Sequence, residues 1–130
     1  MRTTTFTENG REHILCFNPW AQREFLVHYG DIEKVGNMLN EENAVKMLDE
    51  AVWMLSTLMQ AGDKYAKIMG IDNAEPLTPE ELLCVCDIDD FTNMRDTIQG
   101  TLVEGAKRDV VVEPSKPKNV KTTPKSVKKA

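Results

Sequence analysis

From residue 42 to residue 69 an apolar side chain returns every three or four positions: Val45, Leu48, Val52, Leu55, Leu58 or Met59, Gly62, Tyr65 or Ala66, and Met69. A period of 3.6 sustained over such a length is the primary sequence signal of an α-helix. Trp53 and Met54 widen the apolar stripe, so more than one element is expected to pack on this helix. Gly62 leaves two readings open. An interior Gly costs about 1 kcal/mol against Ala and can divide a helix; it also lets a second backbone come close. Gly70 ends the segment. A chain of 130 residues holds material for one core and too little for two.

The flanking segments carry equally local signals. Thr3-Thr4-Thr5-Phe6-Thr7 and His13-Ile14-Leu15-Cys16-Phe17 are β-branched or apolar runs on either side of Asn9-Gly10. Asn and Gly both tolerate the positive φ of a type I′ turn, so residues 3–17 read as a hairpin. Two strands alone are marginal in water, and this hairpin must lean on helices. Asn18-Pro19 opens a helix to Tyr29, with Ala21, Phe25 and Val27–His28 on its apolar side and Gly30 closing it. Asp31 caps a short helix through Leu39. Residues 72–77 form a loop, and Thr78-Pro79-Glu80-Glu81 has the form of a capping box for a helix to about Cys86. Asp89 or Asp90 is expected to cap the last helix, with Phe91, Met94, Ile98 and Leu102 buried and Gly105 as its stop.

After Val112 the composition changes. Pro114, Pro117 and Pro124 alternate with Lys, Ser, Thr and Asn, too polar to offset the entropy of ordering. Residues 113–130 are therefore expected to be a disordered Lys/Pro-rich tail, and Val110-Val111-Val112 a short strand added to the hairpin. The fold class predicted is α+β, mostly α: one domain over residues 1–112, an N-terminal β-hairpin packed on a bundle of about five helices.

Charge divides the chain at the same place. Residues 1–105 hold 8 basic and 19 acidic side chains, a net of −11, and residues 106–130 hold 8 basic and 2 acidic, a net of +6. An acidic body is the opposite of a nucleic-acid-binding surface, so no specific nucleic acid is expected. No apolar run approaches a membrane span, and MRTTTFTENG lacks the apolar region of a signal peptide. Cys16, Cys84 and Cys86 are an odd number that fits a reducing compartment. These features predict a soluble, intracellular protein.

Residues able to do chemistry are few. His13 at a strand start and His28 at a helix end have no reason to share a site, and read as one partly packed and one exposed histidine. Cys84-x-Cys86 lacks the spacing of a zinc knuckle, and alternate helical positions diverge by about 200°; the cysteines read as small buried hydrophobes. Asp87, Asp89 and Asp90 lack the central Gly and terminal Glu of a calcium loop, and helix capping accounts for them. Neither a phosphate-binding glycine loop nor a serine elbow is present. The expectation is a protein that is not an enzyme, with no cofactor and no metal. A metal enzyme using His13, Cys16, Cys84 and Cys86 is the distant alternative.

The order of features resembles the tail assembly chaperones of long-tailed, siphovirus-like bacteriophages. The matching residues are the Asn9-Gly10 hairpin with its return strand 13–17, the helix ending Tyr29-Gly30-Asp31 followed by Ile32 and Val35, and the helix over 51–69. Pro76-Leu77-Thr78-Pro79-Glu80-Glu81-Leu82, the final helix toward Gly105 and the Lys/Pro tail complete the pattern, which spans roughly residues 6–125.

The resemblance implies a protein that binds the helical tape measure protein in the host cell cytoplasm. It would keep that protein soluble, help recruit the major tail tube protein, self-associate, and be absent from the mature virion. Such proteins are often made in a second, longer form by programmed frameshifting, which Lys-rich codons near residue 125 would suit. Exposed apolar helical faces on a client aggregate unless covered, and Met is over-used on adaptable binding surfaces. Client contacts are expected at Trp20, Phe25, Trp53 and Met54, with plain core packing as the competing role for each. The alternative function is a minor tail or head–tail connector protein retained in the virion.

Overall fold

The computed structural model describes residues 2–106, built as β1 (Thr3–Glu8), β2 (Arg11–Cys16), α1 (Pro19–Tyr29), α2 (Ile32–Leu39), α3 (Ala44–Met69), α4 (Pro79–Val85) and α5 (Ile88–Ala106). This is the predicted architecture, an N-terminal antiparallel hairpin packed on five helices. The expectations for Val110–Val112 and for residues 113–130 lie outside the described residues.

The hairpin register runs from Thr3 opposite Cys16 to Glu8 opposite Arg11. Asn9 at φ 48° and Gly10 at φ 79° supply the two positive angles that a two-residue turn of this twist needs. Alternation sets the inner face: Phe6, Glu8, His13 and Leu15 are buried while Thr3, Thr5 and Thr7 are exposed. The outer edge of β2 is covered. The Ile14 N–H donates to Asn73 Oδ1 at 2.8 Å, and the Ala74 N–H reaches Glu12 O at 3.4 Å. The loop between α3 and α4 thus satisfies backbone groups that would otherwise invite another strand.

α1, α2, α3 and α4 each begin where a side chain takes an orphan backbone N–H. Asn18 accepts from Ala21, Asp31 from Lys34, and Asn43 from Lys46, all at 2.9–3.0 Å. Asn43 therefore starts α3 two residues later than the periodicity indicates. At α4 the capping box is complete, with Glu81 N–H to Thr78 Oγ1 at 3.1 Å and Thr78 N–H to Glu81 Oε1 at 2.9 Å.

α5 departs from expectation at both ends. Asp89 and Asp90 lie inside its first turn and do not cap it; the Asp90 carboxylate reaches back to accept from the Asp87 N–H at 2.7 Å. Gly105 does not stop the helix. It sits against the chain at Phe17, where a Cβ would come within 2.5 Å of Phe17 Cβ.

α3 is the centre of the molecule. Between residues 51 and 62 it is buried through Ala51, Val52, Met54, Leu55, Ser56, Thr57, Leu58, Met59, Ala61 and Gly62, with Gln60 alone exposed. The expected stripe is widened to most of the circumference here, because β2, α1, α2, α4 and α5 all pack on this helix. Gly62 does not divide it: a Cβ there would lie 1.8 Å from the Ile14 carbonyl oxygen, so β2 rests directly on the helix backbone. α1 runs along α3 in the opposite direction, with Trp20 beside Lys64 and Tyr29 beside Glu50. The buried hydroxyls are satisfied, Ser56 donating to Leu77 O at 2.7 Å and Thr57 to Trp53 O at 2.9 Å. β1 lies on α5, joined by a hydroxyl contact between Thr4 and Thr101.

Candidate protein-interaction surface

The four expected client contacts do not form one surface. Phe25 and Met54 are fully enclosed. Phe25 meets Phe17 edge-on at 5.2 Å and Trp53 at 5.3 Å between ring centroids, so these two residues are core and have no area to offer a partner. Trp20 and Trp53 are half-buried and stand well apart along α3. Lys64 Nζ lies 5.1 Å over the Trp20 ring, and His28 stacks on Trp53 at 3.8 Å and 16°. Tyr29 donates its hydroxyl to Glu50 at 2.6 Å; burial and that carboxylate hold its pKa far above the ordinary tyrosine range.

What the structure does present is an open groove of about 650 Å³ between α1, α2 and the last turns of α5. Phe17, Leu26, Ile32, Val35, Leu102 and Val103 line it, with Gln22 as a polar group at its wall. Leu26, Ile32 and Val103 are 46%, 59% and 56% exposed, which is high for large apolar side chains gathered in one place. Sequence reasoning passed over Leu26 and Val103. The available signal was an apolar residue directly beside a stripe already complete, Leu26 after Phe25 and Val103 after Leu102. A second, smaller groove of about 410 Å³ lies between the start of α3 and α5, lined by Met47, Leu48, Ile88, Phe91 and Arg95 among others.

Titratable groups of the hairpin form a clasp. Glu8 is sealed inside the hairpin, its carboxylate accepting from Arg11 at 2.9 Å, His13 Nε2 at 2.7 Å and Asn9 at 3.1 Å. Burial pushes the Glu8 pKa up, but the bonds from Arg11, His13 and Asn9 and the Arg11 charge outweigh it and hold it at about 2. His13, one of the two histidines expected to be exposed or partly packed, is 1% exposed, and its Nδ1 has no partner. His28 lies beside a different carboxylate, Glu50, at 3.8 Å.

Burial pushes the Cys16 thiol up, and burial with Asp90, Glu8 and Asp87 nearby raises Cys86 to about 11. A thiol held protonated is a poor nucleophile and a poor metal ligand. Cys84, expected to be buried, is exposed, because α4 buries one face through Leu82 and a residue two positions on points away from it. Among the described residues no three His, Cys, Asp or Glu side chains are grouped to hold a metal ion. Nor is any described helix long and apolar enough to cross a membrane.

No protein-family model, curated protein or solved structure matches this chain.

Proposed function

We propose that this protein is a tail assembly chaperone of a long-tailed bacteriophage. It binds the tape measure protein in the host cytoplasm, keeps it soluble, helps recruit tail tube subunits and leaves before the virion is complete. The observation that carries the reading is the apolar groove between α1, α2 and α5, open at the surface through Leu26, Ile32 and Val103. An amphipathic helix lays its apolar face into a groove of this kind, and a tape measure protein is a long helical client. Two further features support it. The order of hairpin, capped helices, long helix and Pro76–Glu81 motif resembles that family, and the net charge of −11 over residues 1–105 keeps a loaded complex soluble and suits basic client stretches.

The test is co-expression with the tape measure protein encoded beside this gene. The client is expected to become soluble only with this chain present and to co-purify with it. The double variant Ile32→Glu/Val103→Glu should lose the client while the chain keeps its own melting temperature. A client that stays insoluble and unbound overturns the reading. So does recovery of this chain from purified virions, which would make it a structural tail or connector component.

A further inference from the structure

The hairpin leaves one of its two edges open. We propose that this edge, along β1, pairs with β1 of a second copy of the chain, antiparallel about Thr5, to make a four-stranded sheet across a dimer. The surface is distinct from the groove, and the inference does not rest on the chaperone reading.

The two-residue turn makes Glu8 and Arg11 a hydrogen-bonded pair. Along β1, Thr4, Phe6 and Glu8 therefore bond to β2, while the N–H and C=O of Thr3, Thr5 and Thr7 point the other way. The same alternation turns the Ile14 N–H, opposite Thr5, outward on β2, where Asn73 takes it. No loop does this for β1. Among the described residues nothing hydrogen-bonds the backbone of Thr3, Thr5 or Thr7 on that side, and all three residues are exposed. Nor does β1 carry the usual guards of an edge. It has no Lys, no Pro and no bulge, and its one charge, Glu8, is sealed within its own hairpin.

Two features select a second copy over an unrelated strand. The order Thr3-Thr4-Thr5-Phe6-Thr7 is nearly symmetric about Thr5. Antiparallel pairing centred there sets Thr5 against Thr5 and Thr3 against Thr7 on the outer face, and Thr4 against Phe6 on the inner one. Thr–Thr and aromatic–β-branched pairs are favourable cross-strand neighbours. Charge agrees, because the next pair out is Arg2 with Glu8, opposite in sign. There is also room. β1 lies over α5 through Thr4 on Thr101 and Arg2 on Glu104, the latter at 3.8 Å. Gly100, one turn from Glu104 on the same side of α5, has no other group within 4 Å of where a Cβ would stand, so the helix flank beside the open edge is bare. The contact is small. A six-residue edge gives a strip about 20 Å long and about 10 Å wide, well short of the roughly 800 Å² per partner of a stable complex, so the pairing is weak and concentration-dependent.

The experiment is sedimentation equilibrium of the full chain from micromolar to near-millimolar concentration. The mass is expected to rise from one chain towards two. The amides of Thr3, Thr5 and Thr7 should gain hydrogen-exchange protection over the same range. A mixture of isotope-labelled and unlabelled chains should show cross-relaxation between the α-protons of Thr4 and Phe6 of different copies. Thr5→Lys, which sets two ammonium groups face to face, should weaken the dimer tenfold or more while the dilute chain keeps its melting temperature. A chain that stays monomeric at the highest concentration overturns the inference. So does a dimer in which the three amides stay unprotected, or one that Thr5→Lys leaves unchanged, since either places the contact elsewhere. Protection that does not vary with concentration overturns it too, by making residues 110–112 a third strand of the same chain.

Discussion

Glu8 shows how a charge can be placed inside a small protein. Its side chain is inaccessible, and Arg11, His13 and Asn9 complete its hydrogen bonds. Its pKa, held at about 2 against an ordinary 4.5, makes stability depend on acid. A depressed carboxylate contributes stability above its unfolded pKa and loses it as pH falls through the folded value. The unaltered chain should therefore weaken between pH 5 and 2. Glu8→Gln should cost about 2 kcal/mol at pH 7, discounted because Arg11 is half exposed, and next to nothing at pH 2. Urea unfolding at four pH values checks both ends. None of this was legible beforehand. A Glu beside Asn-Gly reads as a solvated turn residue, and its burial needs three partners brought together by the hairpin register.

Gly62 is the opposite case, a residue whose two readings the sequence could state and the fold decides. Gly62→Ala would drive a methyl into the Ile14 carbonyl, 1.8 Å from its ideal position, and should cost about 3 kcal/mol or more, since overpacked cores typically lose 1–3. Gly100 is also in a helix but has open space around the missing Cβ, so Gly100→Ala should gain roughly 0.5–1 kcal/mol. Thermal melts of the two variants should move in opposite directions.

At the level of elements, local chemistry was readable and tertiary consequences were not. Hairpin, caps and helices follow from short-range rules, and Asn9-Gly10, Asn18-Pro19, Asp31 and the Thr78 box all act as their residue types dictate. Thr78→Ala should cost about 1 kcal/mol, measurable by chemical denaturation, with loss of helix signal confined to α4. The misreadings cluster where an element meets another. Gly105 looks like a helix stop until Phe17 is seen against it, and Cys84 looks like a small buried hydrophobe until α4 is seen to bury one side alone.

At the scale of the molecule the candidate site was hidden. Trp20, Phe25, Trp53 and Met54 stand out by size, and size favours the core as strongly as it favours an interface. The groove draws on residues from Phe17 to Val103, and no local pattern joins positions so distant. Mutation should separate the two sets. Phe25→Ala and Met54→Ala should each lose about 2–5 kcal/mol, with any loss of client binding following from unfolding. Ile32→Glu should leave the melting temperature within the small range of surface changes, about 0.5 kcal/mol, and act on binding alone. Calorimetry of the variants, read beside client retention, checks both.

The position of α3 also sets a timetable for the newborn chain. The hairpin and α1 leave the ribosome before α3, carrying Phe6, Leu15, Phe17 and Phe25, all destined for the interior. Their seat, Gly62 and the buried turn around it, is synthesised later. At roughly 5–20 residues per second, the interval from Phe17 to Gly62 lasts on the order of 2–9 s, and a two-stranded hairpin is marginal in water meanwhile. Thr101, the partner of Thr4, comes later still. Translation must therefore run almost to the end of α5 before β1 has the helix it packs on.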